Sequence, residues 1–68
     1  MTMRPSKRFR IYIGDQICSA EYWVKHKQYG KGWIILLPAH IDFYDATIPE
    51  MKRLVRRTHP EAKFERTL

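Results

Sequence analysis

The chain has 68 residues, enough for one small domain and too few for two. Lys and Arg number 13 against 7 Asp and Glu, a formal charge of +6, and a composition 44% hydrophobic and 29% charged is globular rather than disordered. The single cysteine, Cys18, excludes a disulfide within the chain and a Cys-based zinc cluster, so burial alone must offset an ordering cost of about 1.5 kcal/mol per residue, a thin margin that self-association or a partner would widen.

Residues 1–8 read as a basic N-terminal arm ahead of a domain spanning 9–68. The start is cationic, as a signal peptide's would be. Gly14, Asp15 and Gln16 interrupt the apolar stretch before it reaches the ~7–15 residues such a peptide needs. Phe9 to Ile13 alternates apolar and polar residues and predicts a half-buried strand, with Phe9, Ile11 and Ile13 inward and Arg8, Arg10 and Tyr12 outward. A second strand runs from about Ile17 to Lys25. Cys18, Ala20, Tyr22 and Val24 form its uncharged core face; Ser19, Glu21, Trp23 and Lys25 form the other. His26 to Gly32 is polar and holds Gly30 and Gly32, which suits a hairpin loop.

Trp33 to Leu37 is a continuous apolar run, the pattern of a strand covered on both faces, and Pro38 ends it. The run is far shorter than the ~20 residues of a membrane helix, so no membrane partner is expected. Ile41 to Tyr44 alternates again, with Ile41 and Phe43 inward, as a fourth strand or a continuation of the third. Thr47-Ile48-Pro49-Glu50 is a capping box that opens a helix, and Met51, Leu54, Val55 and Thr58 make its inner stripe. His59-Pro60 stops it. Ala62, Phe64 and Leu68 then alternate with Lys63, Glu65 and Thr67 in a final strand. The expected fold is α+β: an antiparallel sheet of three to five strands on one amphipathic helix, in the order ββ(β)β-α-β.

One helix covers one face of a sheet, so the other face is predicted to lie open. By parity it displays Arg8, Arg10, Tyr12, Glu21, Trp23, Lys25 and Tyr44, joined by Trp33 if Ile34 and Leu36 face the helix. Tyr12, Trp23, Trp33 and Tyr44 would form an aromatic patch able to stack on bases while cations hold phosphates. The same patch suits burial in a homodimer or against a partner protein, or cross-strand packing without a ligand.

Positive charge gathers at the two ends. Residues 1–10 carry Arg4, Lys7, Arg8 and Arg10 without an acid, and residues 51–68 carry Lys52, Arg53, Arg56, Arg57, Lys63 and Arg66 against Glu61 and Glu65. This favours a polyanion as partner, nucleic acid above all, or an acidic protein surface. The expected nucleic-acid contacts are Arg8, Arg10, Lys25, Lys31, Lys52, Arg53, Arg56 and Arg57. The element order is similar to that of several sheet-based DNA- and RNA-binding domains, and also to small antitoxin and inhibitor folds that bind proteins, an analogy at fold level.

Catalysis finds little support. His26, His40 and His59 are scattered, with no two at metal-ligand spacing on one element. His40 with Asp42 and Asp45 is the nearest approach to a polar cluster. Cys18 on a core face behaves as a small hydrophobe. No metal or cofactor is expected, and the lone thiol suits a reducing cytoplasm. The first expectation is therefore a non-enzymatic nucleic-acid-binding protein. The second is a small interaction module or inhibitor, of the accessory kind found on phages and plasmids, that binds a larger protein complex through its open sheet face.

Overall fold

The structure, a computed structural model, describes residues 4–68. Strand β1 (Lys7–Ile13) and strand β2 (Gln16–His26) form a hairpin in which Ile13 faces Gln16 across the two-residue turn Gly14-Asp15. Gly14 sits at φ 58°, the left-handed region such a turn requires. β1 follows its alternation, with Phe9, Ile11 and Ile13 buried. It also starts earlier than expected. Lys7 and Arg8 are strand residues, Pro5 is buried, and the Ser6 N–H donates to the Tyr22 carbonyl at 2.8 Å. Residues 5–8 of the expected arm thus belong to the domain, while residues 1–3 lie outside the described part.

On β2, Ala20 and Tyr22 are buried and Cys18 is half-buried, as the pattern predicts. Val24 is not: it is exposed, because the pairing with β3 shifts register between Trp23 and His26 and the irregularity ends the strict alternation. Strand β3 (Gly30–Leu36) returns beside β2. Trp33 and Ile35 have no solvent exposure, whereas Ile34 is half-buried and Leu36 exposed. The apolar run is therefore covered on one face only, because the fold supplies one helix.

Leu37 N–H bonds the His40 carbonyl, and the chain turns through Pro38 and Ala39 into β4 (Ile41–Tyr44), a separate strand antiparallel to β3. The pairing places Tyr44 opposite Trp33 and Asp42 opposite Ile35. Paired residues share a face, so Asp42 and Tyr44 lie on the helix side and Ile41 and Phe43 point away, the reverse of the expected parity.

Helix α1 (Ile48–Thr58) opens with the capping box intact: the Glu50 N–H donates to Thr47 Oγ1 at 3.3 Å and the Thr47 N–H to Glu50 Oε1 at 3.0 Å. Met51 and Val55 are buried against the sheet, each worth roughly 1.5–3 kcal/mol. Leu54 is half-buried, but Thr58, expected on the inner stripe, is exposed in the last turn. The helix carries the chain from the β4 edge to the opposite edge, where β5 (Lys63–Arg66) pairs antiparallel with β1, giving the order β4-β3-β2-β1-β5. Ala62 is buried, and Phe64 meets Phe9 edge-on at 6.5 Å. The fold is α+β, with five antiparallel strands on one helix.

Candidate functional site

Two surfaces remain after folding: the open face of the sheet and the outer side of the helix with its flanking strand β5. Pairing sets the open face in rows. One row runs Arg8, Glu21, Ile34, Phe43; the next runs Arg10, Ser19, Leu36, Ile41.

The charged half of this face, over β1, β2 and β5, satisfies itself. Arg8 Nε lies 3.1 Å from Glu21 Oε2, and Arg10 Nη1 lies 3.3 Å from Glu65 Oε1. The Tyr12 hydroxyl donates to the same Glu65 oxygen at 2.7 Å, and the Trp23 N–H donates to Glu21 Oε1 at 3.3 Å. Hydrogen bonding to Tyr12, and then the charge of Glu65, pushes the Arg10 guanidinium further up from its ordinary value. Two of the expected phosphate contacts and two of the expected stacking rings are thus engaged with carboxylates.

The other half, over β3 and β4, is apolar. Ile41 is 63% exposed, Leu36 45% and Phe43 38%, with Ile17 at 68% near the start of β2. Four rings border it in sequence: Trp23 packs on His26 at 4.8 Å, His26 on Tyr29 at 5.1 Å, and Tyr29 stacks on Phe43 at 4.9 Å. The loop holding them is shaped by His26 Nδ1, which accepts from the N–H groups of Gln28 and Tyr29. Sequence parity turns Ile41 and Phe43 inward and so misses both as surface residues, and it places Tyr29 only as part of the hairpin loop.

Trp33 and Tyr44 do not belong to an exposed patch. Both lie on the helix side, where Trp33 is fully buried and Tyr44 half-buried. Burial, and then the charge of Asp42, pushes the Tyr44 hydroxyl up to about 12. The Tyr22 hydroxyl, raised by burial and then by its bond to Asp45, donates to Asp45 Oδ1 at 2.9 Å.

The eight expected nucleic-acid contacts are not all brought together. Arg8 and Arg10 sit on the open sheet face. Lys25 is exposed near the end of β2, and Lys31 borders a hollow with Asp45 and Glu50. Lys52, Arg53, Arg56 and Arg57, by contrast, are brought together: they follow the helix, on the side away from the open face, and line one hollow with Ile48 and Pro49.

There the structure adds a residue that sequence reading did not single out. Lys52 Nζ lies 5.2 Å from the Phe9 ring centre and 5.6 Å from that of Phe64. The Arg56 guanidinium is 4.9 Å from Phe64, and the Arg66 guanidinium 5.8 Å from Phe9. Arg66 carried a signal: it falls in the inward register of an edge strand whose next inward residue is Phe64.

His40 Nε2 and Asp42 Oδ2 are 3.2 Å apart, both side chains nearly half-exposed. Among the described residues no three His, Cys, Asp or Glu side chains converge as metal ligands, and no helix is long and apolar enough to cross a membrane. Burial pushes the Cys18 thiol up, toward its protonated form. Comparison with protein-family models, with curated proteins and with solved structures finds no match to this chain.

Proposed function

We propose that the protein is a non-enzymatic binding module that docks onto another protein through the open face of its sheet. One observation carries this reading: Ile17, Leu36, Ile41 and Phe43 are exposed on one face, beside arginines that already hold carboxylates. A contiguous apolar patch edged by polar groups is the composition of an interface. Stacking of bases on this face would need free cations and bare rings, whereas Arg8, Arg10, Tyr12 and Trp23 are engaged with carboxylates.

The partner's chemistry follows from the rim. Lys25 and Lys27 lie exposed beside the aromatic run, and neither forms an ion pair among the described residues. The net charge of +6 opposes docking of a second copy. The surface therefore suits a different protein, with an apolar centre flanked by acidic side chains. A reducing cytoplasm is compatible with the unpaired thiol of Cys18.

The test is affinity purification from source cells with the wild-type chain and an Ile41→Asp/Phe43→Ser variant, washed at about 0.5 M NaCl to remove screened charge contacts. The wild type is expected to retain one stoichiometric protein and the variant to lose it. A wild type that retains none, or a variant that keeps it, overturns the reading. A purified wild type that is dimeric, with a monomeric variant, would assign the face to a second copy instead.

A further inference from the structure

On the far side of the molecule from that face, cations converge where no side-chain carboxylate meets them. We infer that the seam between α1 and β5 is a phosphate-binding cradle formed by Lys52, Arg56 and Arg66, and that its ligand is the phosphodiester backbone of a nucleic acid.

Helical spacing puts Lys52 and Arg56 on one side of α1, four residues apart, facing β5. The register of β5 puts Phe64 opposite Ile11 and Arg66 opposite Phe9 on the same side of the sheet. The result is a seam floored by two rings, Phe9 and Phe64, whose centres are 6.5 Å apart. Lys52 lies within reach of both rings, Arg56 over one and Arg66 over the other. The negative ring faces hold the cations in place without neutralising them.

The two guanidinium groups are also aimed. Arg56 Nε donates to the Ala62 carbonyl at 3.3 Å, and Arg66 Nε donates to the backbone oxygen of Leu68 at 3.1 Å. Each arginine thus spends its Nε–H on the backbone and keeps both terminal amino groups, the fork that grips phosphate oxygens in pairs. Among the described residues neither Lys52 nor Arg56 nor Arg66 forms an ion pair with a side-chain carboxylate.

All three ion pairs among the described residues lie elsewhere, on Arg8, Arg10 and His40. Arg53 and Arg57 line one hollow with Lys52 and Arg56, but each also has an acid in reach: Arg53 is close enough to Glu50 to help lower its carboxyl, and Arg57 borders a second hollow with Asp42. Glu65, the acid nearest in β5, points to the opposite face, where Arg10 and Tyr12 hold it. The seam is thus a place where clustered cations have rings and backbone oxygens for company, and an anion is the missing partner.

This assignment is independent of the open-face reading, and the two fail separately. Fluorescence anisotropy with a labelled mixed-sequence DNA 20-mer, single-stranded and duplex, is measured from about 50 mM NaCl upward. Arg56→Gln/Arg66→Gln is compared with Arg53→Gln/Arg57→Gln, which removes the same charge from the neighbouring row or beside it. Far-ultraviolet circular dichroism checks that both remain folded.

The cradle predicts that the first pair weakens binding roughly tenfold and lowers the salt slope by about two, while the second weakens it only a few-fold. Ile41→Asp/Phe43→Ser should bind DNA like the wild type. Equal losses from the two arginine pairs would reduce the effect to overall charge and overturn the cradle while leaving nucleic-acid binding in place. No binding by the wild type to either DNA would overturn the nucleic-acid ligand, as would a phosphoserine peptide that binds more tightly than both.

Discussion

The Trp33 indole N–H donates to the Ala46 carbonyl at 2.8 Å, joining the middle of β3 to the residue just before the helix cap. The ring is fully buried, packs edge-on against Tyr22 at 5.2 Å and tilts against Phe9 at 5.9 Å. It is therefore the joint on which sheet and helix entry are fixed together. Trp33→Phe keeps an aromatic ring but leaves the Ala46 oxygen without its donor, an expected loss of about 1–3 kcal/mol. Trp33→Ala should cost about 3–5 kcal/mol. A domain this small has only a few kcal/mol in hand, so the alanine variant should be unfolded at room temperature. Urea titration followed by circular dichroism measures both, and a Phe variant as stable as the wild type would show that the bond contributes nothing.

The helix cap makes stability depend on pH in a stated direction. Hydrogen bonds from the Thr47 backbone and side chain hold the Glu50 carboxyl below its ordinary range. A carboxyl whose folded value is depressed adds stability above its unfolded value, near 4.3 for Glu. That contribution is lost as pH falls through the lower, folded value. Glu50→Gln should therefore be less stable than the wild type at neutral pH, and the gap should narrow as pH falls below the ordinary Glu range, by urea midpoint. A gap that stays the same in acid would mean that the carboxylate charge is not involved. Thr47→Ala, which removes the reciprocal acceptor, should cost about 1 kcal/mol at neutral pH.

What the sequence made legible is what local chemistry decides. Thr47 and Glu50 mark the helix start because their side chains satisfy backbone donors in place, and Met51 and Val55 mark its buried face by helical spacing alone. β1 was readable because its apolar residues occupy one parity. The faces of β3 and β4 were not, for a physical reason. Trp33 to Leu37 is apolar at both parities, and Ile41-Asp42-Phe43-Tyr44 puts a large ring at each. Which side turns inward is then decided by the Trp33–Ala46 bond and by the register that sets Tyr44 opposite Trp33. That one choice moved Trp33 and Tyr44 off the expected surface and put Ile41 and Phe43 onto it. The pairing of Arg8 with Glu21 and of Arg10 with Glu65 needs strand neighbours far apart in sequence, so counted charge overstated the free charge of the sheet face.

The approach of β4 to β3 rests on a glycine. Gly32 is at φ 146°, and a Cβ built there would stand 2.9 Å from the Tyr44 carbonyl oxygen. Both the backbone angle and the space exclude a side chain, and the obstructing atom is backbone, which cannot swing aside. Gly14, at φ 58°, has nothing within 4 Å of an added Cβ and carries only the left-handed penalty, about 1–2 kcal/mol. Gly32→Ala should therefore destabilise more than Gly14→Ala, and hydrogen exchange should rise first in β3 and β4. Equal losses in the two variants would remove the steric part of the argument.

The open face and the core can be told apart by what each residue does for folding. Ile35 has no exposed surface, while Ile41 and Ile17 are 63% and 68% exposed. Ile35→Ala should cost about 2–5 kcal/mol by leaving a cavity between sheet and helix. Ile41→Ser and Ile17→Ser should each fall within about 0.5 kcal/mol of the wild type, as surface changes do. If Ile41→Ser proves as costly as Ile35→Ala, the side chain is covered inside the monomer and the face is not open. If the two serine variants fold normally, Ile17 and Ile41 contribute little to the isolated chain, and their exposure costs it solubility. Raised solubility of the Ile17→Ser/Ile41→Ser double variant, measured by ammonium sulfate precipitation, would then place the use of those side chains in an interaction rather than in the fold.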